Sequence, residues 1–147
     1  MLMKPLVVLF AVCALAACKP DITDPFEIDL GPAPTITVVS GQGQVVPLGS
    51  EAVVRVRMLR ADATPMVNTF VSFLYLETIP NQIGGGTITS RPTDSDGVAE
   101  LRFTTTRLGP FTVTASYSEC ARFYISECPE VVLRASATAT GTIVAGS

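Results

Sequence analysis

Polar and apolar residues alternate with a period of two through most of this chain. In A52-V53-V54-R55-V56-R57-M58, Val54, Val56 and Met58 fall on one side and Arg55 and Arg57 on the other. Side chains alternate across a strand, so such a segment buries one face and wets the other. Val71, Phe73 and Tyr75 repeat the pattern, as do Ala99, Leu101 and Phe103. F111-T112-V113-T114-A115-S116-Y117 is apolar at odd positions and hydroxyl-bearing at even ones, and Val131, Leu133, Ala135 and Ala137 close the series. Turn signals separate the runs: Gly41 and Gly43, Pro47 and Gly49, residues 62–65, Gly84-Gly85-Gly86, and Asp94-Ser95-Asp96-Gly97. Short strands punctuated in this way predict an all-β antiparallel sandwich of about seven strands over residues 35–140. Residues 79–88, IPNQIGGGTI, read as a long glycine-rich loop, and 141–147 as a tail.

The opening, MLMKPLVVLFAVCALAAC, breaks the pattern by being apolar all round. Its run of 13 residues, 5–17, is short of the roughly 20 needed to cross a bilayer core. A charge at Lys4, an apolar stretch and small residues at Ala16 and Ala17 fit a signal peptide. Leu15-Ala16-Ala17-Cys18 at its end resembles the lipobox of bacterial lipoproteins. The resemblance implies removal of residues 1–17, Cys13 among them, and acylation of Cys18. The membrane is then a partner through the lipid, and the cell envelope is the expected location. Lys19 in place of Asp favours the outer membrane. One acyl chain holds only reversibly, whereas two or three make an anchor that does not release.

Residues 18–34 follow as the lipidated cysteine and a tether. KPDITDPFEIDLGPAP holds four prolines, one glycine and the acids Asp21, Asp24, Glu27 and Asp29. Stretched out, it reaches roughly 50 Å. Phe26, Ile28 and Leu30 alternate, so part of it can instead pair as an edge strand.

Charge and composition narrow the function. The chain has 10 basic and 13 acidic residues and no basic block, which argues against nucleic acid as a partner. It has no histidine, so catalytic arrangements built on histidine are excluded and the commonest metal ligand is missing. No cofactor is expected. In an oxidising compartment Cys120 and Cys128 are expected to pair, against the alternatives of two free thiols or a zinc site short of ligands.

Residues 35 to about 118 resemble a bacterial immunoglobulin-like domain of the invasin/intimin group. The resemblance rests on S-G-x-G-Q at Ser40 to Gln44, the strand at Val54, Pro65, Val71 with Phe73, and G-G-G-T at Gly84 to Thr87. T-D-x-D-G-V-A at Thr93 to Ala99 and F-T-V-T-A from Phe111 to Ala115 complete it. It implies an Ig-like β-sandwich serving as a spacer or adhesion module.

Several constellations invite a chemical reading. Asp94-Ser95-Asp96-Gly97 has the D-x-D-G opening of calcium loops, but lacks the further ligands such a loop needs; the alternative is a turn. Glu77, Asp94, Asp96 and Glu100 are the carboxylates for any glycosidase-type pair, and nothing in their spacing sets two across a cleft. Leu74 and Leu76 alternate against Val71 and Phe73, which sets two leucines on an outer sheet face, as a docking patch or under a loop. Arg122, Phe123 and Tyr124, inside the Cys120–Cys128 loop, form a second candidate binding surface. The chain therefore reads as a lipid-anchored, non-catalytic envelope module that binds a protein or glycan or acts as a spacer. The alternative is a periplasmic structural subunit of a larger complex.

Overall fold

Among the described residues nine strands form, where the alternation runs and in places where it does not. They are β1 (Phe26–Glu27), β2 (Thr35–Ser40), β3 (Gln44–Pro47), β4 (Glu51–Leu59), β5 (Phe70–Glu77), β6 (Gly86–Pro92), β7 (Val98–Thr104), β8 (Gly109–Tyr124) and β9 (Glu127–Val144). The computed structural model describes residues 26–78, 86–124 and 127–146, with the backbone alone for residues 26–27, 122–124 and 129. Cys18, the leader 1–17 and residues 79–85 of the expected loop lie outside the described residues.

Six strands make one sheet, in the order β3-β9-β8-β5-β6 with β1 added to β8, and three make the other, β2-β4-β7. The two sheets face each other as an Ig-like β-sandwich. The inward residues are those of the alternation: Val54, Val56 and Met58 from β4, Val71 and Phe73 from β5, Phe111 and Val113 from β8. Full burial of each such side chain contributes about 1.5–3 kcal/mol. At Gly141 β9 makes room for a ring, since a Cβ there would lie 2.3 Å from Cζ of Phe111.

Three expectations need correction. The strand count exceeds seven because β1, β3 and β6 lie at edges, where little apolar alternation is required. The sandwich is not wholly antiparallel: β3 runs parallel to β9, with Gln44 opposite Gly141 and Pro47 opposite Val144. Pro47, which has no N–H to give, is tolerated on such an edge. Gly86 to Ile88, expected in a loop, belong to β6 and pair with β5, Leu74 opposite Ile88 and Leu76 opposite Gly86.

β8 and β9 are 16 and 18 residues long and continue past the core as a projecting hairpin. The Cys120–Cys128 segment, expected as a loop, is part of this ladder: Cys120 faces Val131, Arg122 faces Glu130 and Tyr124 faces Glu127, with register shifts between. The disulfide forms inside it, with Cα atoms 5.7 Å apart.

The lead into the sandwich lies along that hairpin. Phe26 pairs with Phe123 and Glu27 with Arg122, and the N–H of Ile28 donates to the carbonyl of Ala121 at 2.9 Å. Arg134 donates from Nη2 to the carbonyls of Leu30 and Gly31 at 2.9 and 2.7 Å, while its Nε lies 3.1 Å from Glu119. Tyr117 donates to the other oxygen of Glu119 at 2.5 Å. The edge-strand reading of this segment is thus realised at Phe26–Glu27, while Ile28 and Leu30 follow outside any strand.

Candidate functional site

β6 and β7 are the free edges of opposite sheets, joined by the turn at residues 93–97. The turn is closed by Asp94. Its Oδ1 accepts the N–H groups of Asp96 and Val98, both at 2.9 Å, and its carbonyl accepts that of Gly97. Gly97 has φ +73°, and a Cβ would lie 2.5 Å from the carbonyl oxygen of Met58. The D-x-D-G motif is therefore a turn whose first carboxylate is spent on backbone donors. Among the described residues no group of three or more His, Cys, Asp or Glu side chains could hold a metal ion.

Between the two edges lies a groove of about 420 Å³. Its floor is Tyr75, Phe103 and Leu101. The rings of Tyr75 and Phe103 sit with centroids 4.1 Å apart, and Phe103 meets Phe111 edge-on at 5.3 Å. Thr87, Thr89 and Arg91 line the β6 wall, because these residues oppose the inward-facing Tyr75, Phe73 and Val71.

The end of the groove is built on Glu77, which is only 8% exposed. Its Oε1 accepts the N–H of Thr106 at 2.7 Å and the hydroxyl of Tyr75; its Oε2 accepts the hydroxyl of Thr106 at 2.5 Å. Burial alone pushes this carboxyl up, but the donors from Thr106 and Tyr75 outweigh it and hold the group below the usual carboxylate range. Burial and the neighbouring carboxylate push the Tyr75 hydroxyl the other way, well above its ordinary value. With both oxygens engaged, Glu77 brackets the segment leading from β7 to β8. Glu100 is committed elsewhere, on the outer face of β7, to Arg55 and Arg102, each at 2.5 Å. Of the carboxylates singled out in the sequence, Glu77, Asp94 and Glu100 are each engaged separately.

Two cations stand at the groove without such commitments. Arg91 and Arg107 line it, and neither side chain has a partner among the described residues. The β7 edge adds main-chain chemistry. Met58 donates to Gly97 and Thr105 donates to Ser50, which fixes the alternation of the β4–β7 ladder. Odd residues of β7 direct their N–H and C=O to β4; even ones direct theirs away. Those of Val98 are taken up by Asp94. Those of Glu100, Arg102 and Thr104 point along the open edge, and among the described residues no strand pairs there.

The other candidate surfaces are arranged differently. Leu74 and Leu76 do lie on the outer sheet face, but half-buried: they lean over Gly86, whose added Cβ would meet both at under 3 Å. The exposed apolar residue of that patch is Ile88, at 73%. Across this face run Ser72, Ser90, Ser116 and Ser136 in one row and Thr114 and Thr138 in the next, without a charged side chain. Arg122, Phe123 and Tyr124 sit in β8 with side chains outside the described residues, and Cys18 is likewise outside. Arg91, Arg107 and the groove itself were not legible as a site, because two edges from different sheets assemble it and no local motif marks it.

No protein-family model and no curated protein matches the chain. Among solved structures it is similar to the CARDB domain of the PF1109 protein of Pyrococcus furiosus, crystallised in complex with di-metal ions. That likeness has 19% identity over 78% of this chain and 93% of that one, with a TM-score of 0.37. It is also similar to the solution NMR structure of the same domain, with 21% identity over 79% of this chain and all of that one, and a TM-score of 0.40.

Proposed function

We propose that this chain is a lipid-anchored, non-catalytic module of the bacterial cell envelope that holds a binding groove away from the membrane. One observation carries the reading: the lead and the Glu77 end of the groove lie at opposite ends of the sandwich. The lead pairs with β8 at Arg122 and Phe123, whereas Glu77 pairs with β8 at Phe111. The 12 residue-to-residue steps of strand from Phe111 to Phe123 span about 40 Å. A chain acylated at Cys18 would rest on its hairpin end and present Glu77, Thr106 and Arg107 outward. That arrangement suits a binding or adhesion module of the invasin/intimin type. It also suits an accessory subunit facing a periplasmic partner.

Two measurements test this. Metabolic labelling with a fatty-acid analogue should mark the wild type and not Cys18→Ser, which should leave the membrane fraction. A Cys18→Ser protein that stays membrane-bound and labelled would end the anchor reading. Protease digestion of intact and lysed cells then separates the two sides. Digestion of intact cells means a surface module, and protection until lysis means a periplasmic one.

A further inference from the structure

We infer that the groove binds an extended acidic peptide, which adds to the open edge of β7 as a further strand. The inference deepens the binding reading above and rests on it. Three observations converge on one ligand chemistry. Glu100, Arg102 and Thr104 offer outward N–H and C=O groups at every second residue, the spacing an added strand pairs with. Beside that edge, Phe103, Tyr75 and Leu101 form an apolar floor, which alternate side chains of such a strand would cover. Arg91 and Arg107 lie in the groove with no carboxylate partner, so an acid on the peptide would meet a cation that gives up no other ion pair.

The neighbouring charges sharpen the choice. Arg102 is already bound to Glu100 and Glu51, at 2.5 and 2.8 Å, and Glu77 is engaged through both oxygens by Thr106 and Tyr75. Among the described residues, the unsatisfied groups of the groove are thus cations, main-chain pairs and the hydroxyls of Thr87, Thr89 and Thr104. A basic peptide would leave Arg91 and Arg107 unpaired and bring like charges against them. An acidic glycan could meet the arginines but would leave the β7 amides without a ladder.

The test uses the purified full chain in detergent and fluorescently labelled peptides. The probes are a heptapeptide alternating Glu and Val, its Lys–Val counterpart, two forms of the Glu–Val peptide N-methylated at one or the other alternate set of amides, and an oligouronate. The Glu–Val peptide is expected to bind, and the Lys–Val peptide to bind at least about tenfold more weakly. Arg91→Ala with Arg107→Ala should weaken the Glu–Val peptide by about tenfold or more, with unchanged circular dichroism. N-methylation of one amide set should abolish binding while the other set is tolerated. The amides of Glu100, Arg102 and Thr104 should gain protection from hydrogen exchange in the complex.

Equal binding of the two charge types, indifference to the arginine replacements, or equal tolerance of both methylated forms would each overturn the proposal. So would absence of binding by the Glu–Val peptide. If the oligouronate binds in an arginine-dependent way and the peptide does not, the peptide inference fails while the binding reading stands.

Discussion

Glu77 shows how much of a sandwich's end depends on one carboxylate. Its oxygens gather the N–H and hydroxyl of Thr106 and the hydroxyl of Tyr75, so Glu77→Ala strands three donors at a nearly buried place. The expected loss is about 1.5–3 kcal/mol in urea unfolding at pH 7. The carboxyl is held below its unfolded value, so its contribution is full above the unfolded pKa and drains as pH falls through the lower folded one. In that window the unfolded chain binds more protons, and stability falls with pH. Glu77→Gln should therefore flatten the acid limb of a stability–pH curve, and an unaltered limb would refute this role. Tyr117 titrates in the opposite direction: burial first, then Glu119, push it to about 12. Its stabilisation is full below the ordinary tyrosine range and is lost as pH rises toward 12. Tyr117→Phe should remove one late transition from the alkaline ultraviolet titration. Gly141→Ala tests packing instead. It drives a methyl group into the Phe111 ring and past the Gln44 carbonyl, and should cost about 1–3 kcal/mol.

At the scale of elements, the central strands were legible and the edges were not. β4 alternates buried and exposed residues along its whole length, which is why A52 to M58 could be read from the sequence. β6 has one partly buried residue among exposed ones, because it closes a sheet with neither face covered, and its first three residues, Gly86 to Ile88, read as loop. The hairpin was hidden for another reason. Three register shifts move its residues between faces, so no period survives from Ser118 to Val131. The groove was invisible because its members belong to β5, β6 and β7 and share only a place in space. The disulfide makes an element-scale prediction. Its eight-residue separation corresponds to a loop-closure term of about 2–3 kcal/mol. Because the bond lies beyond the core, replacing both cysteines by serine should speed hydrogen exchange in residues 118–133 and leave Phe73 and Val113 as protected as before. Uniform acceleration would mean that hairpin and sandwich open together.

For the whole molecule, the two outer faces are unlike. The three-stranded sheet carries Glu51, Arg55, Glu100 and Arg102 as a chain of exposed ion pairs, worth little in stability but strongly hydrated. The larger sheet shows hydroxyls with Leu74, Leu76 and Ile88. Leu74→Ser with Leu76→Ser tests whether these leucines are structural. Each is half-covered across Gly86, so a moderate loss of stability is expected, with the sandwich retained in circular dichroism. A collapse of the fold would show that this face belongs to the core.

The way the lead is fastened also sets how the molecule carries load. β1 holds to β8 through two residue pairs at the hairpin end, and behind it, among the described residues, stand the Ile28 bond and the grip of Arg134 on Leu30 and Gly31. A pull on the N-terminus meets these contacts one after another, as a zipper, before it reaches β2. In a force-extension trace with handles at the two termini, residues 26–34 should pay out first, at low force. Because the lead already runs extended along β8, that step should add little length and register as a drop in force well ahead of the rupture of the sandwich. Arg134→Ala should bring it to lower force and leave the main rupture where it was. The lead thus behaves as a breakaway strap, laid out along the hairpin at rest and let go under tension.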